Sequence, residues 1–210
     1  MELLTETRKE FLEEMINISF GRAASSLAEL LSVRVILDVP KVDEIKSSEI
    51  PSALEKQVGA DMDITIVQQA FSGDFHGEVL LIIAADLGRE AVKIITEESG
   101  VAPDLPLEEL ESEMLLEIGN IVIGACMGSF SDLLEKTVRF EVPNIILEKT
   151  PIGGLNSDVQ NNRALIVLTQ FQIGDERLKG FLFFLLNERW FDALYLAVDH
   201  FIESFAEQVS

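Results

Sequence analysis

FLEEMINISFGRAASSLAELLSVRVILDVPKV, residues 11–42, and MLLEIGNIVIGACMGSFSDLLEKTVRFEVPNI, residues 114–145, are one stretch written twice. The copies align without a gap at an offset of 117 − 14 = 103 residues. Glu14 maps to Glu117, Asn17 to Asn120, Gly21 to Gly124, Leu30 to Leu133, Leu31 to Leu134 and Pro40 to Pro143. Self-similarity on this scale sets the architecture before any local reading. The match continues more weakly. ITIVQQAFSGDFHGEVLLIIA is similar to ALIVLTQFQIGDERLKGFLFFLL, with Gly77 falling on Gly180. The helical stretch Arg89–Ser99 falls on Trp190–Phe201.

Working outward from the repeat, periodicity assigns the elements. Residues 4–31 and 107–135 carry apolar groups at helical spacing. Val33–Val39 and Val138–Leu147 are β-branched and apolar, so they predict strands. Residues 61–72 and 77–84 predict a strand pair, and 163–173 with 178–186 predict its twin. Residues 43–60 and 148–162 are polar and hold Pro51, Pro151 and Gly153–Gly154, so they read as loops. Residues 100–106 join the halves. Each half of about 100 residues would leave sheet edges uncovered on its own. The expectation is therefore an α+β fold: one pseudo-twofold domain over residues 1–210, built from repeats at about 4–99 and 107–205. Its six-stranded, largely antiparallel sheet carries packed helices, and the two long helices carry the sites.

Composition narrows the function classes. Hydrophobic residues make up 48% of the 210, which argues against long disordered stretches. The longest unbroken apolar runs, such as Val79–Ala85 and Phe181–Leu186, fall short of a membrane span. The charged opening MELLTETRKEFLEE lacks the apolar core of a secretory signal. The single cysteine, Cys126, excludes an internal disulfide and suits a reducing cytoplasm. A net charge of −21 repels phosphate backbones and anionic lipids, so neither nucleic acid nor membrane insertion is expected. The plain consequence of that charge is solubility; the sharper one is that acidic groups meet a basic residue on a partner.

On a helix at about 100° per residue, the first copy shows a narrow polar stripe. Relative to Phe11, Glu10, Glu14, Asn17 and Gly21 fall at about 260°, 300°, 240° and 280°. Phe11, Met15 and Ile18 flank the stripe and are expected to face inward. Glu113, Glu117, Asn120 and Gly124 repeat the stripe in the second copy. Asn and Gly are both disfavoured inside helices, and Gly costs about 1 kcal/mol against Ala. A kink, or a glycine admitting a neighbouring helix, explains one copy. Two copies, each with its carboxylate kept, favour side chains presented to a partner.

Glu-x-x-Asn, then 22 residues, then Pro, occurs at Glu14–Asn17–Pro40 and again at Glu117–Asn120–Pro143. With this pattern the chain resembles the CheC/CheX/FliY phosphatases, over nearly its whole length. Two motifs resemble the two-site CheC type rather than CheX, and no added receiver or flagellar-switch module counts against FliY. The family usually has Asp or Ser four residues before the Glu, where this chain has Glu10 and Glu113. The first copy also lacks the Gly119-Asn120 pair of the second, so the second site is expected to be the better preserved.

The resemblance implies a substrate: the aspartyl phosphate on a CheY-like receiver. It also implies that Asn17 and Asn120 enter the partner's site to orient water, and that Glu14 and Glu117 pair with a lysine there. Glu10, Gly21, Glu113 and Gly124 would complete the contact. Pro40 and Pro143 read as structural, at the ends of strand-like runs. No cofactor of its own is expected, with Mg2+ carried by the receiver. His76, His200 and Cys126 do not form a metal-ligand pattern. The rival from another class is a non-catalytic module binding CheD or a response regulator, and a flagellar-switch component is a third reading. No P-loop, G-x-G-x-x-G or Ser/His/Asp pattern supports other enzyme classes.

Overall fold

The computed structural model describes residues 4–37, 41–58, 63–74, 76–99, 106–151, 163–173, 176–186 and 188–209. Helix α1 (Glu6–Leu31) leads to strands β1 (Val35–Leu37) and β2 (Lys41–Lys46), a 3-10 turn at Ser47–Glu49 and helix α2 (Ile50–Val58). The hairpin β3 (Asp63–Gly73) and β4 (Gly77–Ala84) and helix α3 (Leu87–Ser99) complete the first half. The second half holds α4 (Leu107–Leu134), β5 (Val138–Phe140), β6 (Asn144–Pro151), β7 (Arg163–Ile173), β8 (Glu176–Leu186) and α5 (Glu188–Val209).

The sheet runs β1-β7-β8-β4-β3-β5, with β2 also on β7 and β6 also on β3. The eight strands thus fill six positions, all antiparallel, because β1 with β2 shares one edge and β5 with β6 the other. The expected single strand at 138–147 is divided by Glu141–Pro143, whose proline has no N–H to give a ladder. The two halves meet at β4 and β8, where Gly77 pairs with Leu186 and Ile83 with Gly180. Each half lends its first strands to the other half's hairpin. The hairpins differ in register: Gly77 lies opposite Phe71, whereas Gly180 lies opposite Thr169. Matched by ladder position, Gly180 corresponds to Val79, so the Gly77–Gly180 equivalence is displaced.

The segment 43–60, expected to be a loop, is β2, the 3-10 turn and α2. Its polar surface hides a helix, because few of the described residues of α2 are buried. Ile50 and Leu54 are 6% and 0% exposed and pack on Ile64, Ile66, Ile82 and Phe183. Burying two such side chains contributes about 3–6 kcal/mol, enough to hold a short helix that is marginal alone. The expected loop at 148–162 is strand through Pro151; the rest lies outside the described residues.

The four remaining helices cover the opposite sheet face. Thr5 caps α1 by accepting from the Arg8 N–H, and Ser32 ends it with a left-handed backbone, φ 54°. The core face of α1 is Leu12, Ile16, Phe20, Ala23, Leu27 and Leu31. These lie at about 100–200° from Phe11, so the inward direction differs from that expected. Phe11 and Met15 are half-buried, and Ile18 is 54% exposed. Helix α4 buries Leu115, Ile118, Val122, Ile123, Met127 and Phe130. By length and composition α4 could cross a membrane, but here that apolar face is core. Phe130 anchors it edge-on between Phe184 and Trp190, with ring centres 5.2 and 5.4 Å away.

At the β2 edge a charge cluster ties the sheet to α5. The Arg163 guanidinium donates to Glu44, and the Tyr195 hydroxyl donates to the same carboxylate at 2.6 Å. Burial pushes the Glu44 carboxyl up, but the bonds from Arg163 and Tyr195 outweigh it and hold it below its ordinary value. Arg163 also lies 4.2 Å from the Phe191 ring centre. Beside this cluster Arg8 bonds Asp199, joining α1 to α5.

Candidate functional site

The two polar stripes lie on α1 and α4, which pack side by side. Across the helix pair, the Ser19 and Ser129 hydroxyls hydrogen-bond at 2.6 Å. On α1, Glu10, Glu14 and Gly21 are exposed and Asn17 is half-buried. On α4, Glu113, Glu117 and Asn120 are exposed and Gly124 is half-buried. Each stripe therefore faces away from the core, as helical geometry requires once the opposite face is buried.

The second stripe borders a cleft of about 520 Å³. Helix α4 supplies Glu113, Glu117 and Asn120 to one wall, and the end of β5 with its link to β6 supplies Phe140 and Val142 to the other. Val142 is 87% exposed and Phe140 40%, so an apolar lip stands beside three carboxylates, those of Glu113, Glu117 and Glu141. Pro143 lies in the same link and lines the cleft, which agrees with a shaping role. The first stripe's counterpart, Pro40, lies outside the described residues, as do Asp38 and Val39. Among the described residues the Asn17 side chain has no hydrogen-bond partner. Nearby, Glu13 accepts from the Val42 N–H at 2.9 Å and clips β2 to α1.

The floor of the cleft is Gln69, a residue outside the repeat motif. It sits on β3 between Val67 and Phe71, on the buried sheet face, and is 2% exposed. Its Nε2 donates to the Glu141 carbonyl at 3.0 Å and to Asn120 Oδ1 at 3.3 Å. Its own Oε1 finds no donor among the described residues. A signal was present in the sequence: in ITIVQQAF, Gln69 interrupts the buried alternation of Val67 and Phe71. Phe140 and Val142 carried no such signal, because an apolar residue in a strand-like run reads as core.

The glycines divide. A Cβ on Gly21 or Gly124 would meet nothing within 4 Å, so neither admits a neighbouring helix. A Cβ on Gly119 would come within 2.7 Å of Val67 Cγ1. Gly119 thus lets α4 settle onto β3, which brings Asn120 within reach of Gln69. At the matching position α1 has Ile16, fully buried.

Remaining candidates fall outside the site. His76 and His200 are exposed, and Cys126 is buried with its thiol pushed up by desolvation. Among the described residues, no three of His, Cys, Asp and Glu gather as metal ligands would.

With fold and cleft in view, known proteins can be set beside the chain. It is similar to CheC of Bacillus subtilis, named a CheY-P phosphatase: 26% identical over 206 residues, covering 93% of this chain and 95% of that protein. It is 23% identical to the B. subtilis flagellar motor switch phosphatase FliY over 173 residues, 82% of this chain but 44% of that longer protein. Among solved structures, Thermotoga maritima FliY shares the fold with a TM-score of 0.71 at 20% identity, covering 95% of this chain and 99% of that one. No family model matches the chain. The class is an α+β domain with an antiparallel sheet, the fold of the FliY structure. Within that class the chain is similar in sequence to CheC and FliY along most of its length.

Proposed function

We propose that this chain is a phosphatase for the aspartyl phosphate of a CheY-like response regulator. One observation carries the reading: Glu117 and Asn120 stand exposed, one turn apart, on the rim of a cleft beside an apolar lip. The relation to CheC, named a CheY-P phosphatase, points the same way.

In this reading a receiver docks against α4. Its lysine pairs with Glu117, a charge-assisted contact strengthened as water leaves the interface. Phe140 and Val142 cover apolar surface on the receiver, and Glu113 and Glu141 extend the acidic rim toward its basic residues. Asn120 then enters the phosphorylated pocket. Water attacks phosphorus in line, a new P–O bond forms, the bond to the aspartyl oxygen breaks, and inorganic phosphate leaves. The water's proton passes to the released groups. Such a reaction needs placement and charge stabilisation more than covalent help. Asn120 supplies placement, holding the water by its carboxamide. The receiver brings its own Mg2+ and acidic pocket. Asn17 with Glu14 forms the second, lesser site.

The test is the decay of a phosphorylated CheY-like receiver with and without the chain. Faster phosphate loss supports the reading. Binding with unchanged decay overturns it and leaves a regulatory binding module.

A further inference from the structure

Gln69 does more than fill the floor of the cleft, and hydrogen-bond chemistry says what. A backbone carbonyl can only accept. The Gln69 atom facing the Glu141 carbonyl at 3.0 Å is therefore its amide nitrogen. That nitrogen has one further hydrogen, which needs an acceptor. On Asn120 the acceptor is Oδ1, at 3.3 Å. The Glu141 carbonyl thereby dictates, through Gln69, which way round the exposed Asn120 amide is turned. Its oxygen is tethered by one lone pair and keeps the second. Its Nδ2 carries both hydrogens away from Gln69.

We propose that Gln69 is a positioning residue that pre-orients the Asn120 carboxamide, so that its orientation is set before a partner arrives. The inference rests on the phosphatase reading for its rate consequence. The two halves differ at this point. The ladder position matching Gln69 is Thr169 on β7, buried as Gln69 is. A hydroxyl has one hydrogen to donate and cannot bridge two acceptors as an amide nitrogen does. The second site thus holds a bridge that the first cannot copy. Gly119 belongs to the same device, since it allows the helix to approach the strand bearing Gln69.

A lock of this kind acts on the reaction more than on binding, because a freely turning amide spends part of its time misoriented. The experiment uses the full chain carrying Asn17→Ala, so that the second site alone is read, and a phosphorylated CheY-like receiver. Gln69→Leu removes both donors, and Gln69→Glu keeps the volume but offers acceptors. Both are expected to lower the maximal decay rate about tenfold, with the half-saturating receiver concentration unchanged. Added to Asn120→Ala, neither is expected to lower the rate further. Unchanged maximal rates overturn the proposal, and so does an equal loss when Asn120 is already alanine.

A second measurement stands apart from activity. The NOEs from the two Nδ2 hydrogens of Asn120 to its own Hβ atoms and to Gln69, read by NMR on the free chain, are expected to report one χ2 rotamer of the amide in wild type and averaging in Gln69→Leu. Averaging already in wild type, or no change in the variant, overturns the lock. If the wild-type chain does not accelerate decay, the phosphatase reading fails, while the rotamer measurement still decides the role of Gln69.

Discussion

The two edges of the sheet begin from the same repeated stretch and end as different devices. At the β2 edge, Glu44, Arg163 and Tyr195 join strand to helix through a partly buried charge cluster. At the β5–β6 edge, at a different ladder position, a neutral bridge is found instead: the amide of Gln69 holds the Glu141 carbonyl and Asn120 together. The first edge uses the Glu44 carboxylate to hold strand and helix together. The second keeps carboxylates and apolar side chains exposed around a cleft. Duplication thus supplies two copies of a motif whose surroundings, among the described residues, differ, and the proposed receiver contact falls at the second copy.

The largest test of that contrast removes both motifs. The double variant Asn17→Ala with Asn120→Ala is expected to return receiver decay to its unassisted rate. Residual acceleration would sink the water-placement mechanism. Next, Glu44→Ala removes the partly buried carboxylate that both Arg163 and Tyr195 bond, and is expected to cost about 3 kcal/mol in denaturant unfolding. Its pH signature has a definite sign. The folded carboxyl lies below its ordinary value, so its stabilisation is present above the unfolded carboxyl's range and fades as pH falls through the lowered folded value. Glu44→Gln should flatten the acid limb of the stability curve; an unaltered limb would show that the cluster does not carry it.

Single changes sharpen the inequality. Asn120→Ala is expected to slow assisted decay severalfold to about a hundredfold, and Asn17→Ala by less. The reverse order would make α1 the principal site. Smallest are the glycine effects, measured by thermal unfolding. Gly119→Ala, pressed against Val67, is expected to destabilise by about 1–3 kcal/mol. Gly124→Ala, with open space around it, should stabilise by up to about 1 kcal/mol. If both changes destabilise alike, the distinction between the glycines is wrong.

The long helices and both hairpins were legible because their apolar periods are strong and their halves corroborate each other. The boundaries of β4 and β7 agree with the reading, 77–84 and 163–173. The 43–60 segment was hidden because, among the described residues of α2, just Ile50 and Leu54 are buried, with Ala53 partly buried beside them. The orientation of α1 was misread at Ile18, since an amphipathic helix flanked by two apolar arcs does not say which one meets the sheet. Helical spacing placed Glu and Asn on one face from sequence alone. Gln69 comes from a strand about 50 residues before Asn120, and only the folded sheet brings them together.

The exchanged edge strands carry a consequence for how the chain is made. When α1 through α3 have left the ribosome, β3 has β4 on one side, but β5 and β6 have not been synthesised. Its other side is an unfilled template for any extended peptide. The first half therefore emerges unfinished, with folding completed only by pairings distant in sequence, an order that delays closure and favours cross-pairing between nascent copies. In that interval the net negative charge has a second use: chains bearing the same sign repel one another until the missing strands arrive.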